Sequence, residues 1–531
     1  MKIKYIIKGL ITTLLLLFIV SGCESYSEAV IDDIGAPREL SPISVTARIR
    51  KQTNIELDWT VSEFADHYVV EIAAENPEFT SILKTINVNA SELPIQVALE
   101  GETTYSIRVK AVSNRAKEDS KWTVLTATTL SEQLFLPVQP GDILSKQVTL
   151  RWVPNSSVTE IVLKHSDDTK SVKHTLTAEE KVNGIAIIEG LTSLTTYTAN
   201  LYNGISKRGS RVIKTAIDIT DGIAVTPADN LATVVANAPA GATLILDGDF
   251  TSQVITLVLN KPVTIRGLKD FNKPKLRVTF NIAPNSDDVI NDINLIDLDL
   301  GSTASGSKVD VVRYTANGNY GKLLISGCTI HDYDRTLIGA GTGIAARIPS
   351  IIIENSVMTN VGIAGSGSFI DFRAAFADEI ILRQSTFNKC VPGGSAFIRA
   401  DNNPGVFGNV TTDVLVENCT FYGVTNTVGA SGAQIFYVRF DKNTTTVRNS
   451  LFAETIARFA NQSTTETPKF SKNNYHNTPN LNFANPVLPL KADNSGTALD
   501  PQFVSAVTGD FTVKNQTLID NKIGDPRWIQ E

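Results

Sequence analysis

The chain has 531 residues, 42% of them hydrophobic, with a mean hydropathy of +0.01, a globular composition long enough for about three domains. Its formal net charge is −7, falling to −10 if Lys2, Lys4 and Lys8 are lost with a leader. That balance argues against nucleic acid or an anionic membrane surface as partner, but leaves acidic polymers open, because a local basic stripe overrides net charge.

At the N-terminus, those three lysines precede the apolar run Ile11–Val20, which is too short to span a bilayer. Val20-Ser21-Gly22-Cys23 follows and resembles the lipobox of bacterial lipoproteins. The resemblance implies a signal peptide over 1–22, lipidation of Cys23 and anchoring in the outer membrane, facing outward. The tether 23–38 carries Glu24, Glu28, Asp32 and Asp33, and resembles the surface-export signal of glycan-foraging Gram-negative bacteria. A merely solvated acidic tether is the alternative.

Residues 39–130 and 131–218 read as duplicates. IELDW ends at Trp59 and VTLRW at Trp152; LEGETTY ends at Tyr105 and LTSLTTY at Tyr197. Alternating apolar residues with one early Trp and one late Tyr suit a seven-stranded sandwich with a tyrosine corner. Leu99, Gly101, Thr103 and Tyr105, then Leu191, Ser193, Thr195 and Tyr197, resemble the Leu-x-Pro-x-Thr-x-Tyr of fibronectin type III domains, without the Pro. The resemblance implies two spacer modules.

From 219 to 531 a different pattern takes over. Thr226-Pro227-Ala228-Asp229 offers an N-cap, a first-turn Pro and an acid, and Leu231, Val234, Val235 and Ala238 follow at helical spacing. A short capping helix is expected there. LLISGCTIHDY at Leu323–Tyr333 then recurs at Ile351–Val361, Ile380–Cys390, Val414–Val424 and Thr445–Thr455. Each copy reads as strand, one left-handed residue, strand. The turn slot holds Gly327, Asn355, Gln384, Asn418 and Asn449, and in weaker copies Gly267, Asp297 and Asn473. Gly, Asn and Asp tolerate the left-handed region, whereas Gln384 breaks the set. Such units bury their apolar faces only when stacked, which points to a right-handed parallel β-helix with amides stacked at the turns. The fold class is therefore all-β: two tandem fibronectin type III-like sandwiches, then a parallel β-helix. The run PAGATLILDGDF and VTIRG resembles the entry of pectate-lyase-like β-helix proteins. The tail DPQFVSAVTGDFTVKN and IGDPRW resembles lipoproteins of polysaccharide-utilisation loci. That resemblance implies glycan contact beside a SusC/SusD-like importer, with no assigned reaction.

Candidate chemistry lies in a second recurring strand, which carries Arg313, Arg373, Arg399 and Arg439 with Asp310, Asp371, Asp401 and Asp441 close by. Stacked at about 4.8 Å per coil, the arginines could clamp the carboxylates of a uronic-acid polymer. Tyr314, Phe372, Tyr437 and Phe440 could add stacking faces. The registers of the four differ by a residue or two, so not all need share a face, and the alternative is a structural Arg–Asp ladder on a solvated face with the aromatics in the core. The expected partner is thus an acidic, pectin-like polysaccharide bound without catalysis, through Arg313, Arg373, Arg399, Arg439, Tyr437 and Asp401. A polysaccharide lyase is the second reading; it needs a base and, often, Ca2+. No cofactor is expected, since the one dense acidic run, Asp287, Asp288, Asp292, Asp297 and Asp299, reads as a loop with Asp297 and Asp299 on one face. No lyase motif carries over residue by residue, so catalytic residues are not assigned. His331-Asp332-Tyr333-Asp334-Arg335 is the most chemically varied cluster. Cys328, Cys390 and Cys419 read as buried free thiols, and zinc-ligand spacing is absent.

Overall fold

The computed structural model describes residues 38–529 apart from 116, 168–169, 205, 285–290, 304–307, 365–366, 394–395, 402–403, 427–432, 441 and 483–490. The expected leader, Cys23 and the acids after it lie outside the described residues, as do Asp287, Asp288 and Asp441. The chain is all-β and divides into two compact units, the first ending at Leu134 and including Lys207–Gly209, the second starting at Phe135.

In the first unit, period-two alternation buries Ile55, Leu57 and Trp59 on one side of their strand. Ile43–Arg50, Asn54–Thr60 and Ile95–Ala98 form one sheet; Lys84–Val88, Ala65–Ala74, Thr104–Ser113 and Thr123–Thr128 form the other. Trp59 meets Tyr68 edge-on at 5.2 Å in the core between them. The Tyr105 hydroxyl accepts from the Glu100 N–H at 3.0 Å, which closes a tyrosine corner.

The second unit opens with a sandwich of the same plan. Its four-stranded sheet orders Ser171–Thr175, Glu160–His165, Thr196–Asn203 and Ser206–Lys214; Gln147–Arg151 pairs with Ile185–Glu189 opposite. Trp152 is buried, and the Tyr197 hydroxyl accepts from the Thr192 N–H at 3.0 Å. The capping helix spans Leu231–Asn237 and buries Leu231 and Val235. Its N-cap is Asn230, whose side chain accepts from Thr233 N; Thr226 and Asp229 instead close a turn one step earlier. The shift arises because the Asp229 carboxylate bonds back to Thr226 rather than facing a helix start.

Beyond the helix the chain runs in stacked coils with three faces. Face A is a parallel sheet through Val263–Gly267, Ile293–Ile296, Leu323–Ser326, Ala346–Glu354, Phe376–Arg383, Asp413–Glu417, Thr444–Arg448 and Lys469–Ser471. Faces B and C share the long strand Lys275–Ile282, whose first half pairs with Asp299–Gly301 and second half with Val312–Tyr314. Face B continues through Thr329–Tyr333, Val357–Val361, Thr386–Asn388, Thr420–Tyr422, Leu451–Ala453 and Asn474–His476. Face C continues through Ile338–Ala340, Ser368–Phe372, Ala396–Ala400 and Gln434–Val438.

From the coil of Ile293–Ile296 onward, a single left-handed residue turns the chain from face A to face B. Asp297, Gly327, Asn355, Gln384, Asn418 and Asn449 hold it, with φ of 54°, 66°, 48°, 49°, 52° and 49°. Gln384 therefore takes the same conformation as its neighbours despite its poorer preference. Two expectations need correction. Asn449 is followed in this slot by Lys472 (φ 51°), not Asn473, because Arg448 pairs with Ser471. Gly267 is in register but is not left-handed; glycine is required there because a Cβ would fall 2.4 Å from the Asp297 carbonyl oxygen. The turns are stacked: Asn355 N donates to Arg383 O, Gln384 N to Glu417 O and Asn418 N to Arg448 O. Of the expected amide ladder, Asn449 Nδ2 reaches Asn418 Oδ1 at 3.5 Å, while the Asn355 side chain accepts from Arg527 at 3.0 Å.

Just inside the turn, small polar residues form a buried ladder. Cys328 N donates to Ser356 Oγ, Ser356 N to Ser385 Oγ, Cys419 N to Ser450 Oγ and Ser450 N to Asn473 Oδ1. This satisfies backbone donors that the turn takes out of the sheet. Cys328, Cys390 and Cys419 are free and buried, and burial pushes the Cys328 and Cys390 thiols up to about 12. Aromatic rings fill the later coils: Phe387, Phe421, Phe452 and Tyr475 stack behind face B at 4.8, 4.5 and 5.6 Å. The C-terminal segment, with the short helix Gln516–Asp520, closes over Leu451 and brings Trp528 Nε1 to Thr386 Oγ1 at 2.8 Å. This covers strand edges and sheet surface that would otherwise pair with other chains.

Candidate functional site

The four arginines come from face C and its edge, but they do not form a row. Parallel register places Arg313, Gly339, Asp371, Arg399 and Tyr437 in one column. Arg373, Asp401 and Arg439 lie two positions further along their own strands. Asp401 N bonds to Phe372 O and Arg439 N to Ala400 O, which carries the ladder out to them. The result is a checkerboard in which each guanidinium neighbours a carboxylate. The four arginines thus do not share one column, as their differing registers suggested: Arg373 and Arg399 sit two ladder positions apart, so Arg faces Asp across the ladder, the arrangement of the alternative Arg–Asp reading.

Ion pairing follows from that offset. Arg373 Nε and a terminal nitrogen reach both Asp371 oxygens at 3.2 and 3.3 Å. Arg399 reaches Asp401 Oδ2 at 3.2 and 2.7 Å. Arg313 and Arg335 both approach Asp310, at 3.3 and 3.5 Å. The carboxylates are nearly buried while the guanidiniums look outward, with Arg373 52% and Arg313 38% exposed. Arg439 is exposed, and two guanidiniums lie over the Tyr437 ring, Arg399 at 5.2 Å and Arg439 at 5.9 Å from its centroid. Asp401 Oδ1 is buried and bonds to no group among the described residues. Of the aromatics proposed as stacking faces, only Tyr437 points outward; Tyr314, Phe372 and Phe440 are core residues, because they occupy the inward phase of their strands.

The varied cluster at His331 is structural in large part. His331 Nδ1 bonds to Asp332 at 2.9 Å and Nε2 to Asp299 at 3.1 Å. The Asp299 bond, and then Asp332, raise its pKa to about 9 against the opposing effect of burial, so it is protonated at neutral pH and is no general base there. Tyr333 donates to the Val278 carbonyl in the core, and Arg335 joins Asp310. Asp297 and Asp299 do not act together: Asp299 bonds to His331, and Asp297 turns the corner beside Arg266 at 3.2 Å. The left-handed turn at Asp297 breaks the alternation that would have put them on one face.

A feature the sequence reading missed is a cleft along the A–B corner. A cavity of about 390 Å³ has Lys214, Arg266, Asp270, Asp297, Glu354 and Asn355 among its lining residues. It shares Ser326, Glu354 and Asn355 with a groove of about 420 Å³ that runs on over Gln384 and Asn418. Asp297 at its floor is raised to about 6, because burial disfavours the carboxylate more than Arg266 favours it, and Asp270 adds repulsion. No sequence period marks this cleft, since part of its wall comes from the preceding sandwich.

Two family models match, each described as a domain of unknown function: DUF4957 over residues 248–389 and DUF5123 over 414–528. No curated protein matches. Among solved structures, a two-domain fibronectin type III segment of chicken tenascin is 18% identical, covering 33% of this chain and 99% of its own, with a TM-score of 0.22. The chicken CNTN1 FN1–FN3 domains are 18% identical, covering 34% of this chain and 68% of theirs, with a TM-score of 0.15. The central fibronectin III array of RIM-binding protein is 16% identical over 34% of this chain and 63% of its own, with a TM-score of 0.14.

Proposed function

We propose that this chain is a non-catalytic, glycan-binding surface lipoprotein. In this reading two fibronectin type III-like modules carry a right-handed parallel β-helix away from an outer membrane anchored through Cys23. The β-helix holds an acidic, pectin-like polysaccharide and passes it to a SusC/SusD-like importer. The observation that carries the reading is the outward Arg399–Tyr437–Arg439 group above a nearly buried carboxylate. Guanidinium donors match a uronate carboxylate bidentately, and the part-exposed Tyr437 ring beside them offers apolar surface to a sugar. Arg373 and Arg439 flank Asp401 from the two neighbouring coils, which sets them roughly 10 Å apart along the stack. That distance spans more than one sugar, as a polymer site requires. Asp371 and Asp401 hold the Arg373 and Arg399 guanidiniums in place and reduce the entropy lost on binding. Among the described residues no cluster of three or more His, Cys, Asp or Glu could hold a metal ion.

The test is affinity electrophoresis in gels containing polygalacturonate, alginate or a neutral glucan. The wild type should be retarded by a uronic-acid polymer, less so at high salt. Arg439→Ala should weaken that retention about tenfold or more, the loss of one charge-assisted contact, with its melting curve unchanged. Equal retention of Arg439→Ala and wild type would defeat the reading. Growth of absorbance near 235 nm on mixing would instead establish a lyase.

A further inference from the structure

We propose that the A–B corner cleft is a second saccharide site, built for an uncharged, hydroxyl-rich chain. This inference does not rest on the arginine face. The cleft lies at the corner between faces A and B, whereas the arginines stand on face C, so the two sites present different sides of the coil.

Three features of the cleft point to that ligand. First, its charges cancel. Arg383 Nε pairs with Glu354 at 2.8 Å, Arg448 with Glu417 at 2.7 Å and Arg266 with Asp297 at 3.2 Å, and Lys214 faces the same cavity as Asp270. A polyanion gains nothing there, and a neutral ligand meets dipoles and paired ions. Second, the groove presents Asn355, Gln384 and Asn418 from consecutive coils, one side-chain amide per coil at roughly 4.8 Å intervals. Asn355 Oδ1 already accepts from Arg527 and Asn418 Oδ1 from Asn449, so these two offer chiefly their Nδ2 donors, while the Gln384 amide between them can both donate and accept; together they can follow a chain of hydroxyls. Third, the groove opens into a deeper cavity with an apolar wall that includes Ile143, Leu194, Leu268 and Leu324. Apolar lining with a few polar groups at a junction between modules is the usual setting of a small-molecule site, here able to take the C–H face of a terminal sugar.

The backbone supplies a variant that separates binding from folding. Gln384 and Asn418 hold φ near 50°, where glycine is unstrained. The double variant Gln384→Gly/Asn418→Gly therefore removes two amides while keeping the turn. Titration calorimetry of the full chain with xylohexaose, mannohexaose and arabinohexaose tests the proposal, with polygalacturonate run in parallel. At least one neutral hexasaccharide should bind with little salt dependence. The glycine variant should weaken that binding tenfold or more with an unchanged melting curve, and Arg439→Ala should leave it intact. Absence of binding by all three probes, or equal binding by the glycine variant, overturns the proposal. Either result leaves polygalacturonate retention and its loss in Arg439→Ala untouched, so the two sites fail independently.

Discussion

Asp297→Asn should stabilise the protein at neutral pH, and the size of the effect follows from the corner geometry. Asp297 holds the left-handed turn slot that Asn355, Asn418 and Asn449 hold elsewhere, so the amide fits the backbone (φ 54°) without strain. Its side chain lies over Gly327, where a Cβ would fall 2.2 Å from Oδ1, and is only 19% exposed. Burial raises its pKa to about 6 from 3.8 in spite of Arg266. A folded-state value above the unfolded one means that ionisation costs stability. The cost is absent below about pH 3.8, grows as pH rises through the folded value and is complete above it, at about 3 kcal/mol. The amide mimics the protonated acid and escapes that cost. Urea unfolding of wild type and variant at pH 4, 5, 6 and 7, followed by circular dichroism, should give curves within about 0.5 kcal/mol of each other at pH 4. The variant's advantage should then grow to a few kcal/mol by pH 7. A variant less stable than wild type at pH 7, or a difference independent of pH, would refute the reasoning and make the Arg266 pair a net stabiliser. A carboxylate kept at such a cost, on the floor of a cleft, fits a group retained for binding rather than for the fold.

Two further predictions concern the stacked parallel sheets. Phe421 is fully buried and stacks on Phe387 at 4.8 Å and Phe452 at 4.5 Å, so Phe421→Ala should cost about 4 kcal/mol. Because each coil touches only its neighbours, hydrogen exchange should rise most over Thr386–Asn388, Thr420–Tyr422 and Leu451–Ala453; uniform loss along the chain would contradict a stacked array. His331, with its pKa raised to about 9 by Asp299 and Asp332, contributes stability that is complete below about pH 6.5 and lost as pH rises through 9. At 41% exposure solvent screens the pair, so His331→Gln should lower stability by about 1 kcal/mol or less at pH 6 and by nothing at pH 10, read from melting curves.

The strand–turn–strand pattern was legible because one physical constraint repeats: a residue tolerating the left-handed region between two short apolar runs. Where that constraint is strong, at Asn355, Asn418 and Asn449, the sequence names the turn residue. Where it is weak, register decides. Lys472 takes the slot because its strand pairs with Thr446–Arg448, and its neighbour Asn473 is drawn inward, where Nδ2 bonds to the Val447 carbonyl at 2.9 Å and the buried polar ladder needs a side-chain acceptor. A composition rule that prefers Asn to Lys at turns picks the wrong residue by one.

The binding surfaces were legible only in part, for a reason that separates strands from loops. Inward and outward phase along one strand is fixed by the period of two, which identifies Arg313, Arg373, Arg399 and Arg439 as outward. Which of them share a column depends on how many residues each intervening loop absorbs, and sequence spacing does not reveal where pairing resumes. An offset of two residues turns an arginine row into an Arg–Asp checkerboard, with Asp371 standing between Arg313 and Arg399 beyond Gly339. That change alters the expected ligand chemistry. An unbroken row would bind any polyanion and lose it steeply with salt. Guanidiniums already paired to carboxylates retain few free donors, so selectivity shifts to the outermost described position of the lattice, at Tyr437 and the exposed Arg439. Binding at that end should therefore depend on a defined sugar carboxylate rather than on polymer charge density. Polygalacturonate and a fully sulfated glucan of equal charge should separate in the retention assay, with Arg439→Ala abolishing the preference. Equal retention of the two polymers by the wild type would return the surface to simple charge attraction and remove the role assigned to the checkerboard.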